Sequence, residues 1–217
     1  MTFMIAIVSQ KGGVGKSTLA RLIAREHAAA RWKVKIADLD VSQGTSFNWQ
    51  GRRLQHEIEP IVAVERFGNA DEAIRAGNQL DLLILDAPPH STAATLKMAR
   101  RAHLVLLPTG LSLDDMEPQV LLAHELVKKG VAKAKIAFAL CRVGDSHLEL
   151  IEAQMYITDA GYRVLTGAIP EKTAYRRAAD EGHALTETRF PSLNARADKL
   201  AQSVVNFIAK LQKGNAA

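Results

Sequence analysis

Short, unbroken apolar runs punctuate the chain at Phe3–Val8, Val34–Ala37, Ile61–Val64, Leu82–Leu85, His103–Leu107, Ile136–Leu140 and Val164–Ile169. Strict alternation would mark strands with one wet face; continuous runs of this length mark strands covered on both faces. Between them lie segments of helical length. Ser17–Ala30 places Leu19, Leu22, Ile23 and Ala24 on one side. Leu113–Lys129 follows Ser112-Leu113-Asp114-Asp115, which reads as a capping box with Asp in place of Glu or Gln. His147–Ala160 is preceded by Ser146, carries Glu149 three residues later and ends before Gly161, a residue suited to stop a helix. Leu193–Leu211 aligns Leu193, Ala197, Leu200, Val204, Ile208 and Leu211 on one stripe, with charges interleaved, as expected of a helix packed on a sheet rather than laid on a membrane. No linker or internal repeat interrupts the sequence. The pattern predicts one α/β domain over residues 1–217: a doubly wound, mainly parallel sheet with helices on both faces. Such sheets bind ligands beyond the carboxyl ends of their strands, so the loops that follow the strands hold the candidate chemistry.

Composition narrows the class. Of 217 residues 47% are hydrophobic and 24% charged, which excludes disorder as the main state. No apolar run approaches the roughly 18 residues of a membrane span, and no basic segment precedes a separate apolar stretch at the start, so neither a span nor a secretory leader is expected. The single cysteine, Cys141, excludes an internal disulfide and any metal site built from several thiolates of one chain. The histidines are scattered without metal-ligand spacing. A cytoplasmic protein is expected. The net charge of +5 is unevenly placed: residues 1–127 hold 14 Lys and Arg against 14 Asp and Glu, residues 128–217 hold 14 against 9. A basic second half suggests a surface that faces a polyanion.

The first strand runs into Ser9-Gln10-Lys11-Gly12-Gly13-Val14-Gly15-Lys16-Ser17-Thr18 and then into a helix, the setting of a phosphate-binding P-loop. Glycines let the backbone curl so that its N–H groups converge on phosphate oxygens, and the helix N-terminus adds partial positive charge. Lys16 suits the β- and γ-phosphates and the Ser17 hydroxyl the Mg²⁺ shell. The loop departs from the ordinary pattern at Gln10, where a glycine is usual, and at Lys11, an extra lysine. In both respects it resembles the deviant Walker A loop of the ParA/MinD family of ATPases. That resemblance implies ATP and Mg²⁺ as ligands, a nucleotide-sandwiched homodimer, and a Lys11 that reaches the partner's phosphates, a cation supplied in trans.

Two further strand ends agree. Leu82-Leu83-Ile84-Leu85-Asp86 is an apolar strand ending in a carboxylate, Walker B chemistry that holds Mg²⁺. Ala37-Asp38-Leu39-Asp40-Val41-Ser42-Gln43 is similar to the family's D-x-D segment, which implies that Asp40 orients the attacking water and that Asp38 stands near the metal. The same acids could instead cap the next helix. Pro88 and Pro89 stiffen a loop that the family uses as a γ-phosphate switch, and His90 is expected to face solvent there. The resemblance also implies that Leu107–Asp114 lies at the dimer interface and that adenine sits near Cys141-Arg142 and Ile169-Pro170-Glu171.

Cargo separates the branches of this family. Cluster-carrying relatives need more thiolates than one cysteine per chain supplies. Only Gly214-Asn215-Ala216-Ala217 stand beyond the last predicted helix, so no MinD-like membrane helix is expected. The chain begins its first strand at about Phe3, so no operator-reading extension is expected. ParA-type relatives bind DNA without sequence preference through the second half of the chain, where Arg176, Arg177, Arg189, Arg196 and Lys199 are the candidate phosphate contacts. The expected function is an ATP-dependent switch that dimerises, binds nucleoid DNA, and is stimulated by a ParB-like or other small adaptor protein, with no membrane partner. Its cargo would be a plasmid or chromosome, or alternatively a protein organelle or chemoreceptor cluster. A metabolic P-loop ligase or kinase remains the alternative of another class.

Overall fold

The computed structural model describes residues 2–89 and 93–214; His90 lies outside them. Seven strands alternate with helices: β1 (Phe3–Ile7), β2 (Val34–Asp38), β3 (Ala63–Arg66), β4 (Leu82–Asp86), β5 (Leu104–Thr109), β6 (Ile136–Val143) and β7 (Arg163–Pro170). The helices are α1 (Lys16–Ala29), α2 (Thr45–Gln55), α3 (Ala70–Arg75), α4 (Ala93–Arg101), α5 (Leu113–Lys128), α6 (His147–Asp159), α7 (Thr173–Asp180) and α8 (Pro191–Gly214). All strands run parallel in the order β3-β2-β4-β1-β5-β6-β7. Each apolar run expected from the sequence became a strand, the third starting two residues late, at Ala63 rather than Ile61.

Alternate residues of the buried strands feed two separate cores. Ile5, Ile7, Ile36, Ile84 and Leu106 pack beneath α1 and α8, while Ala6, Val8, Leu83, Leu85 and Val105 pack beneath α4, α5 and α6. Strand order reverses at β1, with β4 on one side and β5 on the other, and the loop leaving β1 therefore opens at a topological switch point. The stripe on α8 is seated as its periodicity predicts, with Ala197, Leu200, Val204 and Ile208 buried.

Helix ends are handled in two ways. Ser146 caps α6 by accepting the Glu149 N–H, and Gly161 beyond its end has φ 84°. Ser112 behaves otherwise: its side chain makes no capping hydrogen bond to α5, and Asp115, read from sequence as the reciprocal acid, is engaged by Lys11.

Candidate nucleotide site

The loop between β1 and α1 is shaped by left-handed backbone at Gly13 (φ 73°) and Gly15 (φ 105°). A Cβ on Gly15 would stand 3.3 Å from Cys141 Cβ, so the close approach of the loop to β6 also requires glycine. No side chain caps α1. Its first N–H groups are thus left for a ligand, as a phosphate cradle demands. Lys16 lies buried in the loop, its Nζ donating to the Lys11 carbonyl at 3.2 Å. Burial lowers its pKa, and the negative charges of Asp86 and Asp40 act against that. Gly12, Gly13, Gly15, Ser17 and Thr18 line the cleft with Lys16, while Val14 is buried beneath the loop.

Lys11 is placed differently. Its side chain is 39% exposed and its Nζ stands 3.2 Å from Asp115 Oδ1 on α5. One turn further along α5, the buried Gln119 accepts the Gln10 N–H at 3.1 Å and donates to the Pro108 carbonyl at 2.7 Å. The two residues that set this loop apart in sequence are therefore both held by one helix face. Gly110 allows it, because any Cβ there would run into the Asp115 carboxylate.

Asp38 and Asp86 are register partners at the ends of neighbouring strands, and both are buried. Asp38 Oδ2 accepts the Ser46 and Phe47 N–H groups at 3.0 and 3.1 Å, and Oδ1 accepts the Asp40 N–H, so this carboxylate caps α2. Ser46 also donates its hydroxyl to Asp86 Oδ2 at 2.8 Å. The other Asp86 oxygen is buried without a hydrogen-bond partner. Burial raises the Asp86 pKa to about 6, helped by the neighbouring Asp38 charge and opposed by the Ser46 and Ser17 hydroxyls and Arg21. An orphaned buried carboxylate oxygen near Ser17 offers donor chemistry that would fit a hard divalent cation. Asp40 faces the cleft, its Oδ1 taking the Ser42 hydroxyl at 2.7 Å and the Gln43 N–H at 3.2 Å.

The cleft of about 510 Å³ is closed on the far side by Cys141, Arg142, Ile169, Pro170 and Glu171, the two segments singled out for the base. Arg142 adopts φ 55° and spans the cleft mouth, donating to Glu171 Oε2 at 2.9 Å and to the Gly13 carbonyl at 3.3 Å. Glu171 is held below the usual carboxylate range by Arg142 and Arg176.

Sequence reasoning did not single out Arg21 and Arg52, which line the cleft, or Ser46, which lies fully buried behind it. Arg21 is buried, donates to the Ser17 carbonyl at 2.9 Å and lies over Trp49 at 5.9 Å. Desolvation lowers its pKa to about 10. Its position one helical turn after Ser17 is the only signal that could have found it. Arg52 reaches the same wall from α2, donating to the Ala179 carbonyl at 3.3 Å. The five basic residues named from sequence are exposed but do not form one cluster. Arg176 borders the nucleotide cleft, Arg177 and Arg189 line a small groove by His183, and Arg196 and Lys199 stand on α8 beside β7.

Residues 5–185 match the family model described as the CobQ/CobB/MinD/ParA nucleotide binding domain. Among curated relatives, the maintenance of carboxysome distribution protein A of Gloeobacter kilaueensis is 28% identical over 188 residues, covering 86% of this chain and 85% of that protein. An iron-sulfur cluster carrier protein of Aquifex aeolicus is 28% identical over 161 residues, but the match spans only 44% of the carrier's length. Among solved structures, the septum site-determining protein MinD of Pyrococcus horikoshii, complexed with Mg-ADP, superposes with a TM-score of 0.75 at 20% identity, covering 94% of this chain and 96% of that one. At that identity the likeness is one of fold.

Proposed function

This chain belongs to the CobQ/CobB/MinD/ParA nucleotide-binding domain family, and from that footing we propose that it is an ATPase that works as a dimerising switch, binding DNA without sequence preference and hydrolysing ATP slowly to segregate or position a cargo. The observation that carries this reading is the division of labour between two lysines. Lys16 is buried in its own loop and lines the cleft, whereas Lys11 is 39% exposed, is turned away from the cleft lining and is paired with Asp115 on α5. A cation so placed suits a second subunit's phosphates better than its own.

In the proposed cycle the loop N–H groups and Lys16 bind the β- and γ-phosphates, and Thr18, Arg142 and Pro170 border the rest of the nucleotide. Ser17 and Asp86 would hold Mg²⁺, with Asp38 behind them fixing α2 and, through Ser46, the Asp86 carboxylate. When bound, Mg²⁺ neutralises the charge that develops on the phosphates. Asp40, in the cleft and fixed by Ser42 and Gln43, orients the attacking water. Lys11 leaves Asp115 and crosses to the other subunit. Two subunits double the basic surface offered by the second half of the chain, so DNA affinity rises with ATP and falls steeply with salt.

The relative named for carboxysome distribution supports a protein body as cargo, and the ParA membership of the family supports a plasmid or chromosome. A cluster cargo is disfavoured by chemistry: Cys141 is buried and its thiol is pushed up to about 12, a poor thiolate ligand. The deciding experiment measures binding to random-sequence duplex DNA with ATP, with ADP and without nucleotide, beside a Lys11→Ala control. ATP-dependent, salt-sensitive binding that the substitution abolishes is the expected result. Dimerisation without DNA binding would move the protein to a protein-tethered branch, and no dimerisation at all would favour a metabolic enzyme.

A further inference from the structure

β7 ends the sheet, and its outer side is flanked by α6 and α8. Along α6, Leu148, Ile151 and Met155 are 65%, 38% and 58% exposed. Their spacing of three and four residues puts all three on one stripe of the helix, apart from Ala153 and Ile157, which face the core. Single exposed apolar residues need no explanation, but a stripe of three large ones, of which Ile151 reaches a groove, does. The groove, about 890 Å³, runs from the start of α6 past β7 to α8, and Ile151 forms part of its wall.

Its opposite wall is basic. Arg163 on β7 and Arg196 and Lys199 on α8 line it and are exposed, and none of them has an ion-pair partner among the described residues. Arg163 lies over the Phe207 ring at 5.0 Å, which fixes its direction. The acid within the groove, Asp145, is already taken by Lys172 at 3.0 Å. On the other flank of the apolar stripe stands Glu152. An apolar strip thus runs between a cationic side and an anionic side.

We infer that this surface docks an amphipathic helix of a partner protein, its apolar face on Leu148, Ile151 and Met155 and a row of carboxylates turned toward Arg163, Arg196 and Lys199. Helix-on-helix packing needs anchors at this spacing, and the two charged flanks fix the direction in which the incoming helix turns its acidic edge. The apolar stripe distinguishes this occupant from DNA, whose backbone would engage Arg196 and Lys199 but gain nothing from Leu148 or Met155. Because the acidic helix and DNA would compete for Arg196 and Lys199, docking at this face also displaces DNA.

The test uses the full, nucleotide-free chain, so that it stands apart from the ATP-dependent reading. The probe is a fluorescein-labelled synthetic helix carrying Leu at i, i+3 and i+7 with Glu along one flank, compared by anisotropy with its Lys-flanked counterpart and with a scrambled version. We expect the Glu-flanked helix to bind at least tenfold more tightly than either comparison peptide. That preference should be lost in Arg196→Glu/Lys199→Glu and, separately, in Leu148→Ser/Met155→Ser, both made at exposed positions. Thermal melts of both variants should match the parent. Equal binding of the scrambled peptide, or binding unchanged in both variants, would overturn the inference. Loss of random-duplex binding in the charge variant alone, with no peptide bound, would overturn it in favour of a DNA surface.

Discussion

Lys11 Nζ and Asp115 Oδ1 stand 3.2 Å apart within one chain. The pair joins the loop that binds phosphate to the helix that follows β5. If Lys11 serves a second subunit, this contact is the one it must give up, and each dimer gives it up twice. A half-exposed pair of this kind is worth up to about 1 kcal/mol.

Asp115→Ala is therefore expected to strengthen ATP-dependent dimerisation by up to about thirtyfold, the equivalent of two such pairs. Sedimentation velocity across a concentration series reads the change directly. Nucleotide affinity of the monomer should stay as it is, because Asp115 does not line the cleft. Weaker dimerisation in the variant would mean that Asp115 serves the interface instead.

Lys16→Ala and Asp40→Ala should separate binding from turnover. Lys16 is buried within the loop itself, so its loss is expected to abolish nucleotide binding, measured by a fluorescent ATP analogue. Asp40 is held by Ser42 and Gln43 and acts on the loop only through its charge on Lys16, so its loss should leave binding within a few-fold and reduce hydrolysis by roughly two orders of magnitude or more. Parallel losses in both assays would place Asp40 in binding instead.

Two histidines should subtract stability on mild acidification, against the buried Asp86 carboxyl, whose raised pKa adds stability over the same range. His103 stacks on Phe3 at 4.8 Å and its Nδ1 accepts the Met4 N–H at 3.0 Å, a bond that only the neutral ring can accept. Burial lowers its pKa, and burial also lowers that of His27, whose Nδ1 lies 2.8 Å from the Ile23 carbonyl. A histidine whose folded pKa is depressed contributes stability that is complete above its ordinary pKa, 6.5, and is lost as pH falls from there toward the folded value. Acidification from pH 7 to pH 5 should thus lower the melting temperature of the parent relative to that of His103→Gln, in which the Asp86 contribution is unchanged. An equal fall in both would exonerate this ring.

Glu187 is the partner on which a fully buried cation depends. Arg53, buried between α2 and the turn before α8, donates to the two Glu187 oxygens at 2.6 and 2.9 Å, and Arg25 and the Ala184 N–H share the same carboxylate. Glu187→Ala strands the Arg53 charge and should cost about 3–5 kcal/mol in urea unfolding. Replacing both, as Arg53→Met/Glu187→Leu, is expected to recover most of that loss, and no recovery would show that packing rather than charge is responsible.

The strands were legible because burial on both faces leaves an unbroken apolar record, as in Leu82–Leu85 and Ile136–Leu140. The loop was legible because few sequences place Gly12, Gly13, Gly15, Lys16 and Ser17 between a strand and a helix. α2 left no such record. Its buried residues are Ser46, Trp49 and Arg53, two of them polar, so it reads as a solvated stretch with a glycine inside. Arg21 and Arg52 escaped for the same reason: a charged side chain on a helix looks like a wet face until Trp49 and α7 are folded against it. Asp115 was misread as a cap because a local pattern was satisfied on paper, whereas its actual partner lies 104 residues away in the chain.

Gln119 and Asp115 lie one turn apart on α5, yet one grips the backbone of Gln10 and the other the side chain of Lys11. The first attachment is buried and the second is open to water. The start of the loop is consequently moored while its cation swings, like a gate whose post is set and whose latch is loose. Whatever draws Lys11 outward leaves the post where it was, and the cradle for phosphate keeps its shape as the two halves come together or part.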